Sequence, residues 1–354
     1  MCEKVLMKGC EAVAEAAVRA GCRFFSGYPI TPQNEVPEYL SWRLPEVGGV
    51  YVQGESEIAA ISMVYGAAST GTRAMTSSSS PGISLKTEGI SYLASTDLPC
   101  VILNFMRGGP GIGTIQASQS DYFQAVKAPG HGGHHCLVYV PYSVQETVDT
   151  VRKAFDKSQE YRTPVIILVD GVIGAVMEPV ALPEMLELDP DEGKDWALTG
   201  NEGRTGRDIR PFAHTVPGVV QDRIDARNMY ERWAETEAEH EEYMLEDAEY
   251  VIAAYGSSAR IAKSTIRALR EQGVKIGLIR PITAFPFPNE PFRKLNTEKV
   301  KKIVTIEMTD PPQFAEDVAL AVNGRVPIES VCVTGGIVPT LEDITALVEQ
   351  HVER

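Results

Sequence analysis

Short apolar runs alternate with helical stretches along the chain, and this alternation is the feature that most constrains the fold. The runs with the composition of buried strands in the N-terminal half are CRFFSGYP, GGVYVQG, PCVILNFM, HHCLVYVPY and TPVIILVDG. Helices are predicted at 56–69, 83–95 and 144–158, and an alanine-rich helix near the N-terminus is predicted to end at Gly21. Strands that alternate with helices indicate a parallel sheet covered on both faces.

A second alternation begins at EYVIAAYGSSARIAKSTIRALREQGVKIGLIRPIT, which contains a predicted helix at 257–272, and continues through KKIVTIEMT and ESVCVTGG. We therefore expect an α/β chain with two doubly wound domains, a larger one at 1–190 and a smaller one at 247–354. The segment 191–246 is expected to link them. Its acidic tract, DARNMYERWAETEAEHEEYMLEDAEY, is predicted to be a solvated helix, with a docking surface for a partner as the alternative.

Composition excludes several classes of protein. The formal net charge is −15 and the sequence pI is about 5.0, which disfavours nonspecific nucleic-acid binding because phosphate repels an acidic surface. The six cysteines form no C-x-x-C pair, so neither an iron–sulfur cluster nor a structural zinc site is expected on this chain. His134 and His135 are adjacent and would point to opposite faces of a strand, so the segment HGGHHC is not expected to bind a metal ion. No apolar run reaches about 18 residues, so a cytoplasmic, soluble protein is expected.

A glycine-rich loop follows one of the predicted strands, and its spacing argues against a nucleotide motif. In RGGPGIGT the glycines at 108, 109, 111 and 113 do not form G-x-G-x-x-G, and the chain has no G-x-x-x-x-G-K-[ST] loop. An NAD dehydrogenase and a P-loop ATPase are therefore disfavoured. Arg107 stands at the strand end, where it could either pair with an anionic group such as a carboxylate or hold the loop in place.

Three further segments are candidates for binding. Thr31 lies between two prolines in GYPITPQNE, so its hydroxyl could serve a ligand or cap the next helix. The serine run in TSSSSPGISLKTEG precedes a helix and could hold an anion, with Lys86 as a possible addition. In YVQGESEIAA, Glu55 and Glu57 flank Ser56 just before a helix rich in small residues.

Taken together and in order, these segments resemble the alpha-type subunit of 2-oxoacid:ferredoxin oxidoreductases. The resemblance rests on KGCEAVAEAAVRAGCRFFSGYPITP, GESEIAAISMVYGAASTG, SSPGISLKTEGISYL, RGGPGIGTIQASQSDYFQ and TPVIILVDG. It implies a thiamine-diphosphate pyrimidine-type fold for the first domain. The second domain resembles the transketolase C-terminal-like domain that follows it in this family.

The resemblance also assigns expected roles to individual residues. Glu57 would be the glutamate that hydrogen-bonds the pyrimidine nitrogen N1′ of thiamine diphosphate and promotes its imino tautomer, which makes it both catalytic and cofactor-binding. Ser56 is predicted to cap the helix and so to hold Glu57 at its first position, whereas Glu55 becomes a bystander. Thr31 and Arg107 would contact the substrate, and coenzyme A would accept the acyl group.

Most of the machinery for this chemistry is expected on partner chains. The sequence contains no G-D-G and N-x-x-x-T diphosphate motif, and the family implies a beta subunit that carries the diphosphate, the Mg²⁺ and a [4Fe–4S] cluster. Gamma and ferredoxin-like delta subunits and ferredoxin itself are further implied partners, so this chain should be inactive alone. RGGPGIGTIQASQSDYFQ is more similar to the branched-chain type, which acts on 3-methyl-2-oxobutanoate, than to the 2-oxoglutarate type. A 2-oxoglutarate enzyme and a structural subunit without its own site remain alternatives.

Overall fold

The computed structural model describes residues 4–127, 129–210 and 215–353. Within this part of the chain, one sheet has seven strands, a second has five and a third has two. The strands in chain order are β1 (Lys4–Lys8), β2 (Phe24–Gly27), β3 (Val50–Gln53), β4 (Ala74–Ser78), β5 (Cys100–Met106), β6 (Leu137–Tyr139), β7 (Pro164–Asp170), β8 (Met177–Ala181), β9 (His240–Tyr243), β10 (Tyr250–Ala254), β11 (Ile276–Pro281), β12 (Thr283–Phe285), β13 (Lys302–Glu307) and β14 (Ile328–Cys332).

Helices alternate with these strands over most of the chain. They are α1 (Gly9–Arg19), α2 (Glu35–Glu46), α3 (Glu57–Ser69), α4 (Ser80–Ser95), α5 (Tyr122–Val126), α6 (Val144–Tyr161), α7 (Gly171–Ala175), α8 (Val216–Thr236), α9 (Gly256–Glu271), α10 (Asn289–Arg293), α11 (Phe314–Val322) and α12 (Leu341–Glu349). The predicted stop of the first helix is confirmed, because Gly21 follows it with a φ of +89°, a conformation that glycine adopts at little cost. Among the described residues no helix is long and apolar enough to cross a membrane.

The seven-stranded sheet has the strand order β12-β6-β7-β5-β4-β2-β3. All neighbouring strands are parallel except β12, which pairs antiparallel with β6. Two clusters of buried apolar side chains cover the two faces of this sheet. The predicted doubly wound α/β architecture is confirmed, because strands buried on both faces require a helical layer on each side.

Two strands of this sheet, β4 and β12, were absent from the sequence prediction. β4 has the sequence AMTSS, whose hydroxyl-bearing half resembles a loop, yet all five residues are buried. It lies in the middle of the sheet, between β2 and β5. Two of its three hydroxyls find partners far away in the chain, since Thr76 Oγ1 donates to the carbonyl of Ser26 at 2.7 Å and Ser77 Oγ donates to Gln33 Oε1 at 2.5 Å.

The second sheet has the order β14-β13-β10-β11-β9 and is parallel except for β9. The prediction of one solvated helix for the acidic tract is wrong in its second half. α8 ends at Thr236, and His240–Tyr243 form β9, which pairs antiparallel with β11. The helix is largely exposed, but Trp233 is fully buried because it packs against the core of the first sheet.

The two sheets are joined by exchanged elements and by buried polar contacts. β12 follows β11 of the second sheet in the chain but pairs with β6 of the first. Asp170 at the end of β7 accepts a hydrogen bond from the backbone N–H of Ser257 at 2.7 Å, and Gln119 Nε2 donates to the carbonyl of Tyr255 at 2.9 Å. The division at 190 and 247 stays a prediction. β9 lies before residue 247 but belongs to the second sheet, and β12 lies after it but belongs to the first.

Candidate active site

The N-terminus of α3 has the conformation that the sequence predicts. Ser56 is the N-cap residue, with φ −159° and ψ 167°, and its Oγ accepts a hydrogen bond from the backbone N–H of Ala59 at 3.2 Å. Glu57 is the first residue of the helix, and only 6% of its surface is exposed. Glu55 is exposed. The two carboxylates therefore lie in different environments, and only Glu57 faces the protein interior.

Glu57 lies directly against the first turn of α4. A Cβ atom on Gly82 would lie 2.6 Å from Glu57 Oε1 and 2.1 Å from Ser78 Oγ, which is closer than real Cβ contacts come. Only glycine fits at this position while the carboxylate keeps its place. Among the described residues no side chain or backbone N–H donates a hydrogen bond to the Glu57 carboxylate, so its oxygens are free to bond a ligand.

Thr31 and Arg107 are brought together at the carboxyl ends of β2 and β5. Arg107 is 5% exposed, and its Nη1 donates to the carbonyl of Thr31 at 2.8 Å while Nη2 donates to the carbonyl of Ile112 at 2.9 Å. Arg107 therefore holds the glycine-rich loop in place, which is one of the two roles that its sequence position allows. The residue before α2 is Asn34, so helix capping does not account for Thr31.

A buried carboxyl group that the sequence did not single out supports Arg107. The backbone N–H of Arg107 donates to Ser80 Oγ at 2.9 Å, and Ser80 Oγ in turn lies 2.6 Å from Asp121 Oδ2. Asn104 Nδ2 donates to the same carboxyl oxygen at 3.0 Å. Burial raises the pKa of Asp121, although these two hydrogen bonds and the charge of Arg107 oppose the rise. No local pattern around Asp121 distinguishes it from a helix-capping aspartate.

Several buried polar atoms in this region lack a hydrogen-bond partner among the described residues. They are Ser78 Oγ, Ser79 Oγ, Gln33 Nε2 and Arg107 Nε. Native proteins rarely leave such atoms unpaired, so their concentration at the ends of β2, β4 and β5 is typical of a site that binds a polar ligand. The Glu57 carboxylate lies beside Ser78 at the same end of the sheet, so the residues there offer the hydrogen-bond donors and acceptors that an amino-substituted pyrimidine, such as that of thiamine diphosphate, would need.

Lys86 does not complete an anion site at the start of α4. Its side chain is fully buried and turns toward β4, where Nζ donates to Thr76 Oγ1 at 2.5 Å and to the carbonyl of Ser77 at 3.1 Å. Burial lowers the pKa of Lys86 to about 7, and the negative charge of Glu57 partly opposes that shift. Among the described residues no group of three or more His, Cys, Asp or Glu side chains is arranged to hold a metal ion.

Comparison with known families matches almost the whole chain. Residues 15–254 match the family described as pyruvate flavodoxin/ferredoxin oxidoreductase, thiamine diphosphate-binding, and residues 248–344 match core domain II of pyruvate:ferredoxin oxidoreductase. Among solved structures, 2-oxoglutarate:ferredoxin oxidoreductase from Magnetococcus marinus has the same fold, with a TM-score of 0.85 and 24% identity over 99% of this chain and 66% of that chain. A split-gene transketolase is similar with a TM-score of 0.60 and 14% identity, over 97% of each chain.

Curated relatives agree with the family match. A ketoisovalerate oxidoreductase subunit VorB from Methanothermobacter marburgensis is 45% identical over 96% of this chain and 95% of its own length. A 2-oxoglutarate synthase subunit KorA from Methanocaldococcus jannaschii is 37% identical over 85% of this chain and 87% of its own length. The resemblance deduced from the motifs is thus confirmed, and the chain belongs to the 2-oxoacid:ferredoxin oxidoreductase family as one of its oxidoreductase subunits.

Proposed function

We propose that this chain is the alpha subunit of a thiamine-diphosphate-dependent enzyme that oxidatively decarboxylates 3-methyl-2-oxobutanoate to an acyl-CoA and passes the electrons to ferredoxin. The observation that carries the proposal is the buried Glu57 carboxylate at the start of α3. This carboxylate packs against Gly82 and accepts no hydrogen bond from the described residues. It lies beside buried polar atoms that lack partners. A carboxyl group without a hydrogen-bond partner can bond the ring nitrogen of an aminopyrimidine.

Each residue of the site has a distinct task in this mechanism. Thiamine diphosphate, when bound, supplies the carbon nucleophile for the 2-oxo group and an electron sink for decarboxylation. Glu57 holds a proton at the pyrimidine nitrogen and fixes the orientation of the ring. Arg107, whose Nε has no partner among the described residues, is positioned to bond the substrate carboxylate, and Thr31 contacts the oxo oxygen through its hydroxyl.

Partner chains complete the proposed enzyme. A beta subunit contributes the diphosphate, Mg²⁺ and [4Fe–4S] sites, gamma and delta subunits join it, and coenzyme A is the acyl acceptor. The names of the relatives support this arrangement, because they are subunits of larger enzymes. A solved relative of the same fold has 2-oxoglutarate, coenzyme A and succinyl-CoA bound.

The choice of substrate rests on a difference in similarity. Two ketoisovalerate oxidoreductase subunits are 45% and 42% identical to this chain, against 37% for a 2-oxoglutarate synthase subunit. We therefore favour 3-methyl-2-oxobutanoate and keep 2-oxoglutarate as the second candidate. Profiling the assembled complex with both substrates and with pyruvate decides between them, since the preferred one has the highest kcat/KM.

Glu57→Ala tests the catalytic claim in a complex assembled with the partner subunits, and Glu55→Ala is the matched control. We expect the Glu57 variant to lose about 10²-fold or more in kcat, because it removes the group that moves the pyrimidine proton. The control should keep the wild-type rate, since Glu55 is exposed. Wild-type oxidation by the Glu57→Ala complex would instead support a structural subunit without its own site.

A further inference from the structure

A fully buried lysine lies below the candidate site and has no part in the mechanism above. Lys86 is four residues beyond Gly82 on α4, so both residues share one face of the helix. That face packs on α3, because Glu57 rests on Gly82 and a Cβ atom on Gly89 would lie 2.5 Å from Ile61 Cγ2. Lys86 is thus enclosed between α3, α4 and the strands beneath them.

The polar surroundings of Lys86 contain little negative charge. Its ammonium donates to neutral oxygens only, Thr76 Oγ1 and the carbonyl of Ser77. Two titratable groups interact with it electrostatically, Glu57 from α3 and the thiol of Cys100 from β5. Burial raises the pKa of the Cys100 thiol, which keeps it protonated and neutral. Among the described residues, Glu57 is therefore the carboxylate that offsets the charge of Lys86.

We propose that Lys86 is a positioning residue for Glu57, and that the Lys86 ammonium and the Glu57 carboxylate act as one charge-coupled pair. The inference rests on the proposed function of Glu57. When Glu57 takes up a proton to donate to the pyrimidine nitrogen, Lys86 loses its counter-charge and releases its own proton. One proton arrives on the carboxylate and one leaves the ammonium, so the pair stays neutral in both states.

The exchange of protons between Lys86 and Glu57 is favourable because the pair has no net charge before or after it. A buried ammonium without a counter-charge is strongly disfavoured, and a lysine in such a site gives up its proton instead of keeping the charge. Burial already lowers the pKa of Lys86 to about 7 while the carboxylate is present. The pair can therefore present either a carboxylate or an acid to the cofactor with little change in the net charge of the site.

The coupling can be measured on the full chain without cofactor or partners. The ¹³Cε resonance of Lys86, assigned by its absence in Lys86→Met, is followed against pH in the wild type, in Glu57→Gln and in Glu55→Gln. We expect a wild-type midpoint near 7, a midpoint lower by about one pH unit in Glu57→Gln, and no change in Glu55→Gln. An unshifted midpoint in Glu57→Gln, or a Lys86 that titrates like an exposed lysine, would overturn the coupling.

Proton counting in the assembled complex tests the consequence for the cofactor. Thiamine diphosphate with Mg²⁺ is titrated calorimetrically at about pH 6.5 in two buffers of different ionisation enthalpy, which gives the number of protons taken up on binding. The Lys86→Met complex should take up about half to one proton more than the wild type, because no lysine compensates for Glu57. Lys4→Met, at an exposed lysine, is the control and should match the wild type.

The outcomes separate this inference from the proposed function. If the wild-type complex binds no thiamine diphosphate, or binds it equally well after Glu57→Gln, the proposed function fails, and the proton exchange with the cofactor fails with it. If binding depends on Glu57 but the proton count is the same in Lys86→Met and the wild type, the coupling alone fails. A larger proton uptake in Lys86→Met, together with the shifted Lys86 midpoint in Glu57→Gln, supports both.

Discussion

Lys86→Met should stabilise the isolated chain at neutral pH and lose that advantage at alkaline pH. The pKa of the lysine is 10.5 in the unfolded chain and about 7 in the folded one, because burial penalises the charged form. Between these values the unfolded chain holds a proton that the folded chain has released. The stability of the wild type therefore rises with pH across this window, and below about pH 7 the whole penalty of burying the ammonium is present.

The size of the effect follows from the same two pKa values. A shift from 10.5 to about 7 corresponds to a penalty of roughly 5 kcal/mol at about 1.4 kcal/mol per pKa unit. Methionine removes the penalty but also the two hydrogen bonds to Thr76 and Ser77, which cost about 1 kcal/mol each. We expect a net gain of roughly 3 kcal/mol near pH 6 and no gain near pH 10, where the wild-type penalty has fallen to about 1 kcal/mol.

Urea unfolding of the two chains at about pH 6, 8 and 10 measures the difference. Tryptophan fluorescence and far-UV circular dichroism should give coincident transitions, which shows that one free energy of unfolding describes each chain. Lys4→Met provides the control for replacing an exposed lysine. A destabilised Lys86→Met chain at pH 6, or a difference that does not change with pH, would refute the reasoning from burial.

Two further substitutions test the geometry. Gly82→Ala should lower kcat of the assembled complex by about 10²-fold, because the new Cβ would lie 2.6 Å from Glu57 Oε1, whereas Gly206→Ala, with nothing within 4 Å, should be neutral; equal rates for both would contradict the close packing. Arg280→Met should lower the free energy of unfolding in urea by about 3 to 5 kcal/mol, since it leaves Glu146 without its buried partner at 2.8 Å. An unchanged free energy of unfolding in Arg280→Met would show that this ion pair contributes nothing to stability.

The strands show how far a sequence pattern can predict a fold. The five apolar runs of the N-terminal half are confirmed as β2, β3, β5, β6 and β7. β4 escaped prediction because three of its five residues bear hydroxyl side chains, which are buried in the middle of a sheet at little cost only where they find hydrogen-bond partners. Those partners, such as the carbonyl of Ser26 for Thr76, come from other elements. No window of local sequence contains them.

The prediction of one solvated helix for the acidic tract was wrong in its second half for a related reason. Its charge pattern predicts a solvated helix, and α8 is largely exposed as expected. Residues 240–243 have no apolar alternation, but β11 offers them an open edge with which to pair. Buried Arg280 then donates a hydrogen bond from Nε to Glu241 Oε2 at 2.8 Å. β9 forms because β11 and Arg280 are present beside it, and both are distant from residues 240–243 in the sequence.

The sequence by itself determined the parts of this protein that depend on near neighbours. The alternation of apolar runs and helices indicates parallel α/β layers, Ser56 caps α3 and so directs Glu57, and the ordered motifs identify the family. The tertiary structure alone decided which distant groups meet. Arg107 reaches the carbonyl of Thr31 across 76 residues, and Lys86 turns away from its helix start toward β4. These contacts depend on the order of the strands in the sheet, which is set by long-range packing and leaves no trace in local periodicity.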